Sequence, residues 1–436
     1  MQILLPTDVF PPRCGGAGWS AHALAHTLIA QGHAVSAIVP IPNQAGIQRD
    51  ETLGVPCLRY GYHTLPFPFI KNYMRHERLW PQLANAIIEE ATRLRGGFAH
   101  LEAPEAAYSI NTQSLIIHAQ HVQTAPPMIL AARKLGVPSV VTVRDHWPWD
   151  YFATGLHGNV VPYEDQTWSS LATDLVSRLG PVPGAVAMTA IPYMLAHVRR
   201  RQSFLQQADA VIAVSNYIGT RLASIVDPSR IHVIPNMVNM PEITRTIATS
   251  PQQVPLDVPY LLFVGKLEHN KGAHLLINIF QKLCEQESCH FNLVIAGNGP
   301  LQPTLEMAFA DMGIRTFFLN WIDHEEVLRL MAHCALLLFP SAWGEPLSRV
   351  LLEAAACGSP ILAMPTGGTA DIITDNLNGA LEPTTACFAQ RIRTLLEYTE
   401  HRRTLGQAAR QTAYQRFSSE RVLPQIERLY HHLLAQ

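Results

Sequence analysis

Two stretches of this chain repeat one grammar. Short β-branched apolar runs alternate with longer amphipathic segments. That alternation is the mark of β-α units feeding a parallel sheet. In the first stretch, strands are expected at Gln2–Leu5, Ala34–Val39, Leu115–His118, Ser139–Val143, Ala210–Val214 and His232–Ile234. In the second, they fall at Tyr260–Val264, Phe291–Ile295, Thr316–Leu319, Ala335–Phe339 and Pro360–Met364. The intervening helices include Trp19–Gln31, Pro127–Leu135 and Leu347–Cys357. Gly136 after Leu135 is a left-handed helix stop, with Pro138 beyond it.

The expected fold class is therefore α/β, with two Rossmann-like domains facing across a cleft. A length of 436 residues suits two domains at ~100–200 residues each. The expected boundaries are 1–240 for the first and 259–416 for the second. A linker rich in Pro, Thr, Ser and Gln spans 241–258, and a last helix lies in 417–436.

Composition narrows the function. Lys and Arg total 32 against 34 Asp and Glu, so the net charge of −2 gives no footprint for nucleic acid. Seven cysteines, with no C-x-x-C pair, argue against a disulfide framework or structural zinc. The start MQILLPTDVF has no basic stretch followed by an apolar run. A cytoplasmic chain is expected.

The chemistry-bearing residues fall on loops after strands, where open α/β sheets bind ligands. The run Gly15-Gly16-Ala17-Gly18 follows the first strand and precedes a helix. Small residues there let backbone N–H groups approach a phosphate or sugar. Gly16 to Ala21 even matches G-x-G-x-x-A. Yet its glycines come about ten residues after the strand, and no acid ends strand two, so a nicotinamide dinucleotide is disfavoured.

In the second half, Lys266 and Lys271 bracket the loop after the first strand. Two ammonium groups there can neutralise a diphosphate without metal. Downstream, Glu345 and Glu353 flank the start of a helix. Eight residues of α-helix turn through about 800°, so side chains at that spacing point within about 80° of each other. Carboxylates accept hydrogen bonds from sugar hydroxyls, and the N–H groups of Leu347 and Ser348 can take phosphate oxygens. Gly367 and Gly368 make another permissive turn at the same sheet edge. His118 and His121 end a strand without a third ligand at metal spacing, so no metal is expected.

In order and spacing these segments resemble the family 4 retaining glycosyltransferases of GT-B fold, over nearly the whole chain. The residues carrying the resemblance are Gly15 to Gly18, Thr142 to Trp147, and Ile234-Pro235-Asn236. With them go Val264 to Leu267, Lys271-Gly272, Ala296 to Pro300, and Glu345 to Glu353 continuing through Gly358, Gly367 and Gly368. The resemblance implies a nucleotide diphosphate sugar as donor substrate, a UDP- or GDP-sugar, with no cofactor. Lys266 and Lys271 would hold the diphosphate, Glu345 the sugar hydroxyls and Glu353 the ribose. Gly16, Gly18, Arg144 and Asp145 would approach the donor from the first domain, and Trp321 and Ile322 would border the base. His118 and His121 would face the acceptor. The last helix would cross back to the first domain.

Three positions depart from the family pattern. Arg144 stands where His is usual, and a guanidinium cannot accept a proton. Gln120 replaces a second histidine, and Leu347-Ser348 replaces an aromatic-glycine pair.

The implied activity is transfer of a hexosyl group to a glycan, lipid-linked or small-molecule acceptor. Residues 59–80 hold six aromatics and four basic residues against one acid, a mix suited to an acceptor groove or an anionic membrane surface. The segment Ile191–Arg201 is a second candidate. Peripheral contact with the inner face of a membrane is an expectation from these segments. Two other classes stay open at this point: a non-catalytic nucleotide-sugar-binding protein, and a GT-B phosphorylase or epimerase.

Overall fold

A computed structural model describes every residue except 13, 98–113, 158–160, 163–165, 250, 252–257 and 286–290. The chain forms two compact units. The first comprises Met1–Ala153, Thr189–Pro235 and Val422–Gln436; the second comprises Thr154–Met188 and Asn236–Arg421.

The strands of the first unit are β1 Gln2–Pro6, β2 Ala34–Pro42, β3 Ile47–Thr52, β4 Val55–Tyr62, β5 Leu115–Ala119 and β6 Ser139–Val143. Two short strands, β7 Leu156–His157 and β8 Val161–Pro162, pair in the second unit. The first sheet resumes with β9 Ala210–Ala213 and β10 Ile231–Val233. Its order is β10-β9-β6-β5-β1-β2-β4-β3. All its pairs are parallel except β3 with β4. Every residue of β1, β5 and β6 is buried, as in a sheet covered on both faces. The order reverses between β1 and β5, which opens a crevice at their carboxyl ends.

The β3–β4 hairpin is absent from the sequence reading. Gln48, Arg49, Asp50 and Glu51 of β3 are all exposed, so no apolar alternation marks it. Its turn is made by Leu53 and Gly54, both at positive φ.

In the second unit the main strands are β11 Tyr260–Val264, β12 Asn292–Ala296, β13 Thr316–Asn320, β14 Leu336–Phe339, β15 Ile361–Ala363 and β16 Ala380–Leu381. The order β13-β12-β11-β14-β15-β16 is wholly parallel and doubly wound. Helix Ala273–Cys284 shows why it packs: Leu276, Ile279, Phe280 and Leu283 form its buried stripe. Each contributes ~1.5–3 kcal/mol by leaving water. They join Leu261, Phe263, Leu293 and Phe309 in the core.

Residues 250 and 252–257 of the expected linker 241–258 lie outside the described residues. Met240–Thr246 is helical, because Asn239 caps it through the Glu242 N–H and Pro241 suits its first turn. The last helix, Ser419–Leu434, brings Val422 onward into the first unit. There the Tyr430 hydroxyl meets His118 Nδ1 at 2.6 Å, and both side chains are fully buried.

The cysteine expectation needs one correction. Cys284 is disulfide-bonded. Counting and spacing argue only against a framework of several bridges. Cys14, Cys57, Cys334 and Cys357 are buried thiols outside any disulfide, whereas Cys387 is exposed. Among the described residues no helix is long and apolar enough to cross a membrane.

Candidate functional site

The second unit gathers its polar groups where strand order reverses, between β11 and β14. Three loops are tied together there by backbone and hydroxyl bonds. Asn270 O accepts from Ala342 N at 3.2 Å and Ser341 Oγ at 3.3 Å. Thr366 Oγ1 donates to Ser341 O at 3.1 Å, and Gly368 N donates to Glu345 O at 2.6 Å. Two glycines permit the close approach. A Cβ on Gly272, at φ +71°, would sit 2.5 Å from the Pro340 carbonyl carbon. One on Gly367, at φ +55°, would sit 2.5 Å from Glu345 N.

Lys271 Nζ lies 2.9 Å and 3.2 Å from the two Glu345 oxygens. It also stands 4.7 Å from the centre of the Trp343 ring. Trp343 Nε1 and Ser341 Oγ donate to the same Glu345 oxygen. The carboxylate is buried among these three donors. Lys266 instead is exposed, 4.0 Å from Glu268. One lysine is fixed and the other is free to reach.

Glu353 forms a second centre. Its Oε1 accepts from His324 Nε2 at 2.8 Å and from Arg349 Nε at 2.7 Å. Burial alone would push this carboxyl up. The His324 and Arg349 charges overcome burial and hold it at about 2. Trp321, three residues before His324, is 58% exposed, and Ile322 is half-buried.

The helix carrying Glu353 corrects the sequence reading. It spans Arg349–Cys357, not Leu347–Cys357. Ser348 is its extended N-cap, with Oγ accepting from Leu351 N, so Leu347 and Ser348 precede the helix and both are buried. Glu353 is one turn in, and Glu345 lies outside. The loop bonds set their relation, not helical spacing.

In the first unit, Gly16 and Gly18 are also re-placed. The first helix runs Gly16–Ala30, so both lie inside its opening turn and not in a preceding loop. Gly15 is the extended cap residue. A Cβ on Gly18 would stand 2.5 Å from Cys14 Sγ, so Gly18 is also a packing requirement.

Asp8, after β1, ties to the segment that follows β5. It accepts from Gln123 N at 2.9 Å, Thr124 N at 3.0 Å and Thr124 Oγ1 at 3.0 Å. Burial raises its carboxyl above the usual range despite those bonds. Asp145, after β6, accepts from Trp147 N at 2.8 Å. Burial, with the nearby Asp8 and Asp150 charges, lifts Asp145 to about 7, against the Trp147 N–H and the Arg201 charge. Arg144 Nη1 donates to Gln120 O at 3.2 Å.

The two histidines differ. His118 has Tyr430 on Nδ1 and Thr142 on Nε2, each at 2.6 Å, so both ring nitrogens are used inside the core. His121 Nδ1 meets Thr7 Oγ1 at 3.0 Å, while its buried Nε2 has no partner among the described residues. Burial, then the Arg144 charge, lowers His121 to about 3, so it is neutral at pH 7.

Sequence spacing missed His324, Ser341, Trp343 and Asp8. His324 is 29 residues from Glu353, and no local signal joins them.

Comparison with known proteins places the chain in a family. A family model described as Glycosyltransferase Family 4 matches residues 14–241. Another, described as Glycosyl transferases group 1, matches residues 245–412. Glycogen synthase of Mycobacterium tuberculosis is 26% identical over 448 aligned positions, covering 99% of this chain and 94% of that protein. The gpi3 subunit of phosphatidylinositol N-acetylglucosaminyltransferase from Schizosaccharomyces pombe is 26% identical over 203 residues. That match covers 45% of this chain and less than half of the relative, 43%. Among solved structures, Anabaena HepE in complex with UDP-glucose aligns with a TM-score of 0.66 at 17% identity, covering 99% of this chain and 100% of that one. At that identity the likeness concerns the fold.

Proposed function

We propose a specific reaction for this chain, which belongs to glycosyltransferase family 4: transfer of a hexosyl group from a nucleotide diphosphate sugar, with retained anomeric configuration. The observation that carries this reading is the Lys271–Glu345 pair at the switch point of the second sheet, with the clamped Glu353 on the helix that follows.

The main barrier is negative charge leaving with the diphosphate. Lys271 is held in place and Lys266 is free to reach, so together they would stabilise that charge without metal. Glu345 would accept hydrogen bonds from donor-sugar hydroxyls, and Glu353 from the ribose. Gly367 and Gly368 keep the loop against Glu345. No side chain is placed as a nucleophile in this reading. The departing phosphate takes the acceptor proton in a same-face substitution. A UDP- or GDP-sugar is the proposed donor.

The acceptor is proposed to be a hydroxyl-rich glycan, lipid-linked glycan or small molecule met by the first unit, in glycoconjugate or polysaccharide biosynthesis. Both segments singled out by sequence pack together there. Glu77 pairs with His197 at 3.0 Å and Arg200 at 2.6 Å, and Trp80 stacks on His197. His76 Nδ1, Trp80 Nε1, Tyr193 Oη and His197 Nε2 are buried without partners among the described residues. His121 Nε2 adds another such group, at the end of β5. Leu65, Phe67, Ile70 and Tyr73 are exposed beside Lys71 and Arg78, which supports peripheral contact with an anionic cytoplasmic membrane face. Failure to float with anionic liposomes at low salt would remove that part.

The test of the donor reading is calorimetric binding of UDP, GDP, ADP and NAD without metal. Preferential binding of one nucleoside diphosphate, lost in Glu353→Ala, supports it; binding of NAD alone refutes it. Lys271→Ala should lower turnover by ~10²–10³. Trp343 and Ser341 still donate to Glu345 in that variant, so it should fold. Turnover near wild type would refute the assignment.

A further inference from the structure

We propose that His324 is a positioning residue that makes Glu353 selective for ribose over deoxyribose. The proposal rests on the nucleotide reading of Glu353 given above.

The argument is one of oxygen bookkeeping. An ionised carboxylate has two oxygens and about four acceptor positions. At Glu353 both side-chain donors, His324 Nε2 and Arg349 Nε, fall on one of them, Oε1. Oε2 takes no hydrogen bond from any described residue, although Glu353 is only 5% exposed. That oxygen therefore keeps its acceptor positions open to a ligand. The natural complement is a pair of adjacent hydroxyl donors, which is what a ribose offers and a 2′-deoxyribose lacks.

His324 and Arg349 have different parts in this. Arg349 is four residues before Glu353 on the same helix, so it moves with it. His324 comes from another helix, His324–His333, whose extended first flank is Asp323. Its ring therefore fixes Glu353 against a second element. Without it, the carboxylate keeps its charge partner and loses its external anchor. Glu353 could then rotate and offer either oxygen to Arg349. The His324 side chain is 26% exposed, at the rim, beside the exposed Trp321 on the loop before it. It can hold the carboxylate without filling the space in front of it.

The test compares two nucleotides on three proteins. The probe is whichever of UDP, GDP and ADP binds the wild type best, together with its 2′-deoxy counterpart. Wild type should prefer the ribonucleotide by about tenfold or more, the usual size for a hydrogen bond to a charged group. His324→Ala should weaken the ribonucleotide by roughly that factor and leave the deoxynucleotide unchanged, so the preference collapses. His324→Gln, which keeps a donor, should restore part of it. In turnover, His324→Ala should raise donor KM with kcat little changed. An equal loss for both nucleotides would mean a merely structural role and overturn the proposal. So would a preference that survives His324→Ala. Absence of any nucleotide binding to the wild type would overturn the donor reading itself, and this proposal with it.

Discussion

Gly272→Ala is a sharp test of how the donor-side loops are assembled. Gly272 follows Lys271 at φ +71°, and an added Cβ would lie 2.5 Å from the Pro340 carbonyl carbon and nearer still to its oxygen. A Cβ has no rotamer to escape by, and Pro340 contributes backbone, so a loop must move. The left-handed conformation costs an Ala ~1–2 kcal/mol. Overpacking adds ~1–3 kcal/mol. The sum, ~2–5 kcal/mol, corresponds to a Tm fall of ~4–20 °C for a domain of this size. Gly313 supplies the control. It has φ +67° and nothing within 4 Å of its Cβ position, so Gly313→Ala meets only the conformational cost. The two variants, compared by thermal unfolding of the full chain, should differ by ~1–3 kcal/mol. The shift should also move Lys271 from Glu345, and a displacement of ~1 Å can cost ~10² in turnover. Equal destabilisation by the two substitutions would refute the close packing of the loops.

Three further outcomes follow from the same physics. Glu353 is held at about 2, below its ordinary 4.5, so it stabilises the fold above pH 4.5 and loses that contribution as pH falls through 2. The difference is worth ~3 kcal/mol at most; urea unfolding of wild type against Glu353→Gln should show the gap closing in acid, and a pH-independent gap would refute it. Asp145 has the opposite sign. Its pKa is raised to about 7, so stability is full below its ordinary 3.8 and declines as pH rises through 7. Asp145→Asn should therefore gain on wild type between pH 4 and pH 8 in the same assay, and parallel curves would refute that. Tyr430→Phe leaves His118 Nδ1 without its partner in a fully buried setting and should cost ~1–3 kcal/mol. An unchanged unfolding midpoint would mean the bond does not hold the last helix.

Much of the fold was legible because strands and helices are local. The alternation of apolar runs located most parallel strands of both sheets, though not β4 or β16, and Gly136 stopped its helix as expected, at φ +64°. Legibility ended where a local signal was weak. The polar strand β3 carried no alternation, and a permissive Gly16 and Gly18 read as loop although they open a helix. At the candidate site, residue type and position singled out Lys271, Glu345 and Glu353; the structure brings Lys271 to Glu345 and sets Glu353 on the helix that follows. Glu345 lies on the loop before the helix, as expected, so the angle of about 80° that helical spacing predicts does not relate it to Glu353.

The sequence by itself determined which elements form and which ionisable groups sit on strand-following loops, because hydrogen-bond ladders and side-chain periodicity act over a few residues. Only the tertiary structure decided the partners. Lys271 meets Glu345 across 74 residues, and His324 meets Glu353 across 29. It also separated His118, consumed by Tyr430 and Thr142, from His121, whose Nε2 has no partner among the described residues. The physical reason is that a charge or a ring nitrogen responds to whatever lies within a few ångströms. Sheet order and loop packing bring such neighbours together from distant parts of the chain.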